Sequence, residues 1–453
     1  MKIIIAGAGK VGYSAASILA AEGHDITVVD IDSETVNEIS NNLDIICVEG
    51  SATSAETLRE AGAADADLLL AATRSDETNM VCGISARKLG TRHVIARIRD
   101  TDYLRQTEFL REALGLNVIV NPEYECAREI ARTLHFPGAN KVETFTGGNL
   151  ELVELRVPEG SPLCAMKLKD LPGAFKAKVL VSVVQRDGEA IIPNGNFVLA
   201  ADDLLEITGQ TKELRKFFMA AGQYKKPVKK VMIMGGGRIA VYLARLLIES
   251  SMSVTVVEYD RGRCDELCDL IPDARIVCGD ATSGSVLMEE GLGSADAFVA
   301  LTGEDGDNII TSMYAKTCDV GKIVLKVNRE YYTDILRAAE LDSVVTPKTL
   351  VSQQLARYVR AMSNSQGSSM ESLYRLADGM VEALEFIVSE DSRCVGVPLR
   401  LLRLRPNVLI SALVRGGELI IPDGETVICP GDHAIVIAIA GWVKDIDTVI
   451  EDE

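Results

Sequence analysis

Short apolar runs alternate with helical stretches over two long segments of the chain. In the first segment the apolar runs are KIIIAG from Lys2, DITVVD from Asp25, LLLAAT from Leu68 and HVIARI from His93. Amphipathic stretches such as GYSAASILAAEG, which begins at Gly12, lie between them. Apolar strands that alternate with helices are typical of a parallel sheet covered by helices on both faces. The pattern predicts a doubly wound, Rossmann-like α/β unit over residues 1–120 and another over residues 229–346.

The second unit repeats the first. MKIIIAGAGKVG returns as KKVMIMGGGRIA, which places Gly7 opposite Gly235 at a spacing of 235 − 7 = 228 residues. LLAATRSDETN returns as FVALTGEDGDN, which pairs Asn79 with Asn308 at a spacing of 308 − 79 = 229 residues. One inserted residue explains the difference. A repeat of this length predicts two copies of one structural unit.

Each unit is followed by a smaller β-rich segment, and these segments also resemble each other. RDGEAIIPNGNFVLAADDLLEI, from Arg186, resembles RGGELIIPDGETVICPGDHAIVI, from Arg415, and both contain the glycine turns typical of hairpins. We expect small α+β domains over residues 142–222 and 371–453.

Connecting segments precede both small domains. Pro122 and Pro347 are followed by EYECAREIARTLHF and TLVSQQLARYVRAM, whose apolar residues recur at helical spacing. We therefore predict connecting helices within residues 121–141 and 347–370. The polar and basic stretch AGQYKKPVKK, around Pro227, predicts the boundary between the two halves.

Composition narrows the class of protein. Hydrophobic residues make up 47% of the chain and charged residues 25%, and no apolar run reaches the roughly 18 residues of a membrane-spanning helix. The first residues, MKIIIAGAGK, run directly into a glycine-rich turn and leave no room for a signal peptide, so we expect a cytoplasmic protein. The net charge of −19 and the lack of a basic stripe disfavour nucleic acid and direct lipid binding.

The residues expected of an enzyme or a metal site are missing. The ten cysteines form no CxxC pair, and Cys264 and Cys268, one helical turn apart, would need two further ligands to hold zinc. The four histidines lie at positions that are not repeated between the halves, and no hydrolase or Walker motif occurs. We predict no metal and no catalytic residue. An NAD-dependent oxidoreductase is the alternative, and it would need an acid or base beside its substrate.

The first half carries a dinucleotide-binding fingerprint. Gly7, Gly9 and Gly12 form GxGxxG between a strand and a helix: the first makes the tight turn, the second lets a pyrophosphate approach, and the third lets helix and strand pack closely. Asp30 ends the next strand, where a carboxylate accepts hydrogen bonds from ribose hydroxyls and repels a 2′-phosphate. This favours NAD or NADH over NADP. A sheet whose glycines serve only the turn is the alternative.

The second half carries a modified copy of this fingerprint. Gly235, Gly237 and Ala240 take the glycine positions, and Glu258 takes the carboxylate position. We expect nucleotide binding here as well, and a carboxylate on ribose suits ATP or ADP as much as NAD.

Three further pairs of residues recur at matching positions: Lys10 with Arg238, Thr73 with Thr302, and Arg97 with Lys326. The first pair could lie along the diphosphate or be solvated charges at a helix start. The threonines end strands where the sheet opens its ligand crevice, although they could also be helix caps. The third pair could face phosphates or form surface ion pairs.

Taken together, GAGKVG, VVDID, EGSATS, ARIRD and IIPNG, with a full second copy, resemble the RCK (regulator of K+ conductance) family. The resemblance covers essentially the whole chain. It implies a ring-forming homo-oligomer, dimer or tetramer, that regulates a Trk-type membrane potassium translocator from its cytoplasmic face. It also implies a first nucleotide site that is lined by Gly7, Ala8, Gly9, Lys10, Val11, Asp30, Thr73, Arg74 and Arg97, and a second that is lined by Gly235, Gly236, Gly237, Arg238, Ile239 and Glu258.

The chain departs from the family pattern in its second half. Ala240 replaces a glycine, and Gly303 stands where the first half has Arg74, so the second site could prefer another nucleotide. The resemblance also leaves open another potassium channel or a cation/proton antiporter as partner. We expect nucleotide binding to act through two conformations with different affinity, with the connecting helices as hinges.

Overall fold

The computed structural model describes residues 1–451 except 101, 102, 104, 105, 137, 140, 146–149, 223–225, 330, 331, 333, 334, 337, 338, 340, 342, 365–369, 440, 442 and 444. Part of the predicted boundary stretch, at residues 223–225, lies outside the described residues. So do the end of the second connecting segment, at residues 365–369, and the last two residues of the chain.

The first half begins with a six-stranded parallel sheet whose strand order is 3-2-1-4-5-6. Its strands are β1 Lys2–Ala6, β2 Asp25–Asp30, β3 Ile46–Glu49, β4 Leu68–Ala71, β5 His93–Arg97 and β6 Val118–Val120. Its helices are α1 Lys10–Ala21, α2 Ser33–Asn42, α3 Ala55–Glu60, α4 Asp76–Leu89, α5 Thr107–Leu114 and α6 Pro122–His135. This order reverses direction between β1 and β4, where doubly wound sheets bind ligands at the carboxyl ends of their strands.

A small antiparallel domain follows. Its elements are β7 Lys141–Phe145, β8 Leu150–Arg156, α7 Leu171–Phe175, β9 Val179–Arg186, β10 Glu189–Ile191, β11 Leu204–Gly209 and α8 Thr211–Ala220. The sheet order is β10-β9-β11-β8-β7. Asp187 and Gly188 join β9 to β10 with φ values of 54° and 82°, as a tight hairpin turn with positive φ at both central residues requires.

The second half has the same organisation. Its parallel sheet, in the order β14-β13-β12-β15-β16-β17, contains β12 Lys230–Met234, β13 Ser253–Glu258, β14 Arg275–Cys278, β15 Ala297–Ala300, β16 Lys322–Lys326 and β17 Val344–Val345. Its helices are α9 Arg238–Glu249, α10 Arg261–Leu270, α11 Gly284–Glu289, α12 Asp305–Thr317 and α13 Pro347–Asn364.

The last small domain is again an antiparallel sheet, in the order β18-β19-β22-β20-β21. Its strands are β18 Met370–Leu376, β19 Val381–Ile387, β20 Val408–Arg415, β21 Glu418–Ile420 and β22 His433–Ile439. The predicted fold class, two Rossmann-like parallel sheets each followed by a small β-rich domain, is confirmed.

The two connecting helices pack on the opposite halves. On α6, Cys126, Ile130 and Leu134 join the core that contains α9 and β12 of the second half. On α13, Val351 and Leu355 join the core that contains α1 and β1 of the first half. Burial of each large apolar side chain contributes roughly 1.5–3 kcal/mol, so this exchange holds the two parallel sheets together.

The two small domains also share a core. Leu152 and Val183 of the first pack against Ala383 and Ile435 of the second. Beside these apolar residues lies a buried cluster of three hydroxyls, from Ser182, Thr208 and Ser411, whose oxygens are separated by 2.7–2.9 Å. Because each of the three hydroxyls has a partner, their burial leaves none of them unsatisfied.

Two classes of structure are not found in the part of the chain that the structure describes. None of its helices combines the length and the hydropathy needed to cross a membrane. No group of three or more histidine, cysteine, aspartate or glutamate side chains there is arranged to hold a metal ion.

Candidate functional site

The glycines of the first fingerprint have distinct packing reasons. Gly7 has φ +103°, and a Cβ there would lie 2.7 Å from the backbone nitrogen of Thr73. A Cβ on Gly12 would lie 1.8 Å from the carbonyl oxygen of Gly7. By contrast, a Cβ on Gly9 would meet no protein atom within 4 Å. Packing within the protein therefore requires Gly7 and Gly12 to be glycine, while Gly9 faces open space.

The N-terminus of α1 is left without the usual side-chain cap. Its N-cap is Gly9, no side chain accepts a hydrogen bond from its first amides, and its first turn contains no acidic residue. In α4 of the same unit, by comparison, the Ser75 side chain accepts from the Thr78 amide, and Asp76 lies in the first turn. An uncapped helix start presents amide donors and the positive end of the helix dipole, which suits a bound phosphate.

The carboxylates that end β2 and β13 are held in the same way. One oxygen of Asp30 accepts from the Ala8 amide at 2.6 Å and the other from the Asp32 amide at 3.0 Å. In the second half, the Glu258 oxygens accept from the Gly236 and Asp260 amides at 2.6 and 3.0 Å. Each carboxylate is thus fixed beside its glycine turn, and its oxygens keep lone pairs that can accept from ribose hydroxyls.

A buried asparagine joins two strand ends in each half. The Asn79 Oδ1 atom accepts from the Thr73 amide at 2.8 Å and from its hydroxyl at 2.7 Å, while its Nδ2 atom donates to the Arg97 carbonyl at 2.8 Å. Asn308 makes the same contacts to Thr302 and Lys326 at 3.0, 2.8 and 2.9 Å. Both asparagines are fully buried. They fix the spacing of β4 to β5 and of β15 to β16 where the crevice opens.

We call each of these asparagines, with the two strand ends that it joins, an asparagine clamp. The clamp of the first half changes the interpretation of Thr73. The Thr73 hydroxyl donates to Asn79, and the cap of α4 is Ser75, so the helix-cap alternative for Thr73 is wrong. Sequence reasoning paired Asn79 with Asn308 but gave neither a role. Their recurrence six residues after each strand-end threonine was the signal that could have found them.

We expect Asn79→Ala to lower the free energy of unfolding by about 2 kcal/mol, because the buried Thr73 amide and the Arg97 carbonyl would both lose their partner. Denaturant titration of the full chain measures this loss. Asn308→Ala is the matched variant and should cost a similar amount. A loss below about 0.5 kcal/mol, the size of an ordinary surface substitution, would contradict the role of the clamp.

Arg97 lies half-buried at the end of β5. Its Nη2 atom donates to the Thr73 carbonyl at 2.8 Å, and its buried Nε atom has no hydrogen-bond partner among the described residues. Burial, with the nearby charge of Arg99, lowers the pKa of Arg97, and burial likewise lowers the pKa of Lys326. These cations are therefore half-enclosed at the crevice and not exposed as surface ion pairs.

The first glycine turn opens into a cleft of about 1520 Å³. Every residue predicted for the first site lines this cleft except Gly12, which is buried beneath the turn: Gly7, Ala8, Gly9, Lys10, Val11, Asp30, Thr73, Arg74 and Arg97. The cleft is also lined from the second half, by Asn328, Arg329, Lys348 and Thr349. Sequence reasoning missed these four residues.

Lys348 reaches the first cleft because α13 packs on α1. It stands in the first turn of α13, directly after Pro347. In the repeat, Glu123 takes the corresponding place after Pro122, and its charge acts on Lys326 of the second half. The two halves thus place charges of opposite sign at the corresponding positions.

The second glycine turn is built differently in detail. Gly235 has φ +94°, and a Cβ on Gly237 would meet no protein atom within 4 Å, as in the first half. A Cβ on Gly236 would lie 2.4 Å from a Leu267 methyl group, and the Arg263 Nε atom donates to the Gly236 carbonyl at 2.8 Å. This turn is therefore packed against α10, while its own helix start at Arg238 is again without a side-chain cap.

The other predicted residues of the second site surround this turn. Arg238 is exposed at the start of α9, whereas Ile239 and Ala240 are buried. Gly303 follows Thr302, and a Cβ there would meet no protein atom within 4 Å, so the second half has no side chain where Arg74 lines the first cleft. The second turn therefore lacks, at Gly303, the cation that Arg74 supplies in the first half, while Arg263 contacts the turn from α10.

Comparison with protein families gives matches over most of the chain. The TrkA-N domain matches residues 3–122 and 231–347. The TrkA-C domain matches residues 152–222 and 383–444. The matches fall on the two parallel sheets and on the two small domains, in tandem order.

Curated relatives match over almost their full length. The Trk system potassium uptake protein TrkA of Halomonas elongata is 35% identical over 100% of this chain and 99% of its own length. A TrkA homolog of Archaeoglobus fulgidus is 33% identical over 99% and 100%. Among solved structures, the GsuK channel bound to NAD is similar with a TM-score of 0.63 and 22% identity, and the match covers 97% of this chain and 76% of that one.

Proposed function

The chain belongs to the TrkA family of Trk-system potassium uptake proteins, and we propose that it is a nucleotide-sensing regulatory subunit that gates a membrane potassium translocator. In this role it would sit in the cytoplasm and reach the membrane through that partner. The observation that carries the proposal is the cleft that both halves line, because a ligand there contacts two bodies whose relative position it can change.

The first site is proposed to hold NAD or NADH, and the second NAD, ATP or ADP. The supports are the uncapped starts of α1 and α9, the fixed carboxylates of Asp30 and Glu258, and the open space beside Gly9 and Gly237. GsuK, which has a similar fold, has been solved with NAD and with ADP. A carboxylate at the ribose position suits all of these ligands.

Coupling between the sites would follow from contacts that cross the halves. The Tyr242 hydroxyl, on α9, donates to the Arg99 carbonyl at 2.8 Å and accepts from the Asn121 side chain at 3.2 Å. These residues lie where β5 and α6 of the first half meet the second half. A nucleotide shifts the regulator only through the difference in its affinity for two arrangements of the halves.

We propose no catalytic activity for the chain. Hydride transfer needs an acid or base beside the reacting carbon, and no histidine is among the described residues that line the cleft. Of the lysines and tyrosines that line the cleft, Lys10 and Tyr13 belong to the first turns of α1, at the proposed diphosphate end, and Lys348 belongs to the first turn of α13. Incubation with NADH and candidate carbonyl substrates should give binding without oxidation, and steady turnover would contradict this part of the proposal.

Lys348 belongs to the second half and lines the first cleft. We therefore expect Lys348→Glu to lower nucleotide affinity at the first site by roughly 3- to 10-fold, because it reverses a charge beside an anionic ligand. Calorimetric titration measures the change. Lys88→Glu, at an exposed position near the end of α4, is the matched control and should have no effect. Equal affinities in the wild type and the Lys348 variant would mean that Lys348 of the second half does not contribute to nucleotide binding at the first site.

Oligomer formation is proposed from a repeated apolar face. On α4, Val81 and Ile84 are 46% and 42% exposed, and at the corresponding positions of α12, Ile310 and Met313 are 70% and 49% exposed. Apolar side chains one helical turn apart on two equivalent surface helices suit contact with a second copy of the chain.

We expect Ile310→Asp with Met313→Asp to reduce the oligomer to a smaller species, because charges in an apolar interface lose hydration without gaining a partner. Light scattering measures the mass of the wild type and the variant. Val81→Asp with Ile84→Asp tests the equivalent face of the first half. An unchanged mass for both double variants would mean that other surfaces hold the oligomer.

The experiment that tests nucleotide sensing is calorimetric titration of the full chain with NAD, NADH, ATP and ADP, with its oligomer mass measured in parallel. The proposal predicts saturable binding without turnover on an oligomer. Absence of binding to all four nucleotides would contradict it.

The partner is tested by co-purification of a potassium translocator with the chain from detergent-solubilised membranes. Co-purification of a channel or an antiporter instead would contradict the proposed partner and favour the alternative one.

A further inference from the structure

Two thiols converge on the end of β13, beside the second glycine turn. Cys264 lies in the first turn of α10, and its sulfur donates to the Glu258 carbonyl at 3.4 Å. Cys278 ends β14, directly opposite Glu258 in the parallel pairing, and its sulfur lies 4.0 Å from the Tyr259 carbonyl. The two sulfurs therefore contact consecutive peptide units of one strand end.

The two thiols differ in environment. Cys264 is buried, whereas Cys278 is exposed. Burial, and after it the neighbouring Cys278 thiol, raises the pKa of Cys264 to about 11. The pairing of Cys278 with Glu258, and the contacts of the two sulfurs with the Glu258 and Tyr259 carbonyls, bring both thiols to the same strand end. An exposed thiol next to a buried one is the arrangement in which the first meets a soluble oxidant and the second resolves the product.

The pair is not required by the fold. At the corresponding positions of the first half, 264 − 228 = 36 and 278 − 229 = 49, the chain has Val36 and Glu49. The first unit forms the same helix and strand with these residues. The thiol pair is thus a property of the second half alone.

Cys264 is connected to the second glycine turn through the hydrogen bonds of the adjacent residue. Its neighbour Arg263 donates from Nε to the Gly236 carbonyl at 2.8 Å, and the Arg263 amide donates to the Asp260 side chain that caps α10. A disulfide requires the sulfurs to approach to about 2.05 Å, which would draw the first turn of α10 toward β14 and break the Cys264 bond to Glu258. Both movements would disturb the groups that flank the second nucleotide site.

We infer that Cys264 and Cys278 form a reversible disulfide that weakens nucleotide binding at the second site under oxidising conditions. The inference rests on the proposed nucleotide binding at that site. The disulfide would make nucleotide binding at the second site, and not at the first, depend on oxidation. An oxidant and a nucleotide would then act on the same strand end.

The chemistry balances with a low-molecular-weight disulfide as oxidant. The Cys278 thiolate attacks one sulfur of the small disulfide, whose other half leaves as a thiolate that takes up a proton. The Cys264 sulfur then gives up its proton, attacks the Cys278 sulfur and displaces the second small thiol. Overall, two protein thiols are oxidised by two electrons to one disulfide, and one small disulfide is reduced to two thiols.

The test uses the full chain with Asp30→Ala, so that binding at the second site is measured alone. The protein is equilibrated with oxidised glutathione, the disulfide is mapped by mass spectrometry of unreduced peptides, and affinity for ADP and NAD is measured by calorimetry. We expect a Cys264–Cys278 bond and an affinity about tenfold weaker, a coupling of ordinary size for linked equilibria, that dithiothreitol restores.

Two variants serve as controls. Cys278→Ser should keep the affinity of the reduced protein with or without oxidant, and Cys268→Ser, which removes an exposed thiol of the same helix, should still respond. Failure to form the disulfide, a disulfide without effect on affinity, or a response that persists in Cys278→Ser would each overturn the inference. Absence of second-site binding in the reduced protein would instead contradict the proposed function there, and the inference would fall with it.

Discussion

Replacing Gly12 with alanine is expected to abolish nucleotide binding at the first site and to lower the free energy of unfolding by about 3 kcal/mol, the upper part of the range for overpacking. The added Cβ would stand 1.8 Å from the Gly7 carbonyl oxygen, which is backbone and can yield only if α1 moves away from β1. That movement would displace the amides at the start of α1. Denaturant titration and calorimetry of the same protein measure the two effects.

Gly9→Ala is the variant that separates ligand contact from folding. A Cβ on Gly9 meets no protein atom within 4 Å, and its φ of −66° is allowed for any residue. Stability should therefore change by less than about 0.5 kcal/mol, while affinity at the first site falls about tenfold or more, because the methyl group occupies the approach of the diphosphate. Unchanged affinity in Gly9→Ala would mean that no ligand approaches this turn.

The second large effect is expected for Asp30→Ala, which should weaken nucleotide binding at the first site by roughly 10- to 100-fold and leave the second site intact. A hydrogen bond to a charged group contributes about 1.5–3 kcal/mol, and each 1.4 kcal/mol corresponds to a factor of ten. Asp30 also holds the Ala8 amide at 2.6 Å, so its loss loosens the turn as well.

Glu258→Ala provides the matched measurement in the second half, because its carboxylate makes the same two backbone contacts. Each variant should abolish tight binding at its own site only, so that one site remains measurable in each protein. Unchanged affinity at both sites in the Asp30→Ala protein would mean that Asp30 does not bind the nucleotide. Loss at both sites would show that the carboxylate acts on the fold as a whole.

The parts of the site that the sequence predicted are those that local spacing encodes. Gly7, Gly12 and Asp30 are separated by fixed numbers of residues because one strand, one turn and one helix require it, and the structure gives the reason for two of them in contacts closer than 3 Å. Strand β3 is harder to recognise, since this edge strand has an exposed Ile46 and only one buried residue. Its short pattern lacks the continuous apolar run of the central strands.

What the sequence did not predict depends on contacts between distant parts of the chain. The apolar stripes of α6 and α13 predicted helices that must be covered, but nothing local says that each covers a helix of the opposite half. Lys348 enters the first site only through that exchange. Asn79 likewise gains its role only when the ends of β4 and β5 are adjacent.

We propose above that nucleotide bound to this chain changes the transport of potassium by a membrane partner. The most direct measurement is rubidium uptake into proteoliposomes that contain the co-purified Trk-type translocator and the chain, with and without saturating nucleotide. Nucleotide is expected to change the rate of uptake only when the chain is present, and the Asp30→Ala protein should need a higher nucleotide concentration for the same change. Equal uptake with and without nucleotide, at concentrations where calorimetry shows both sites occupied, would contradict it.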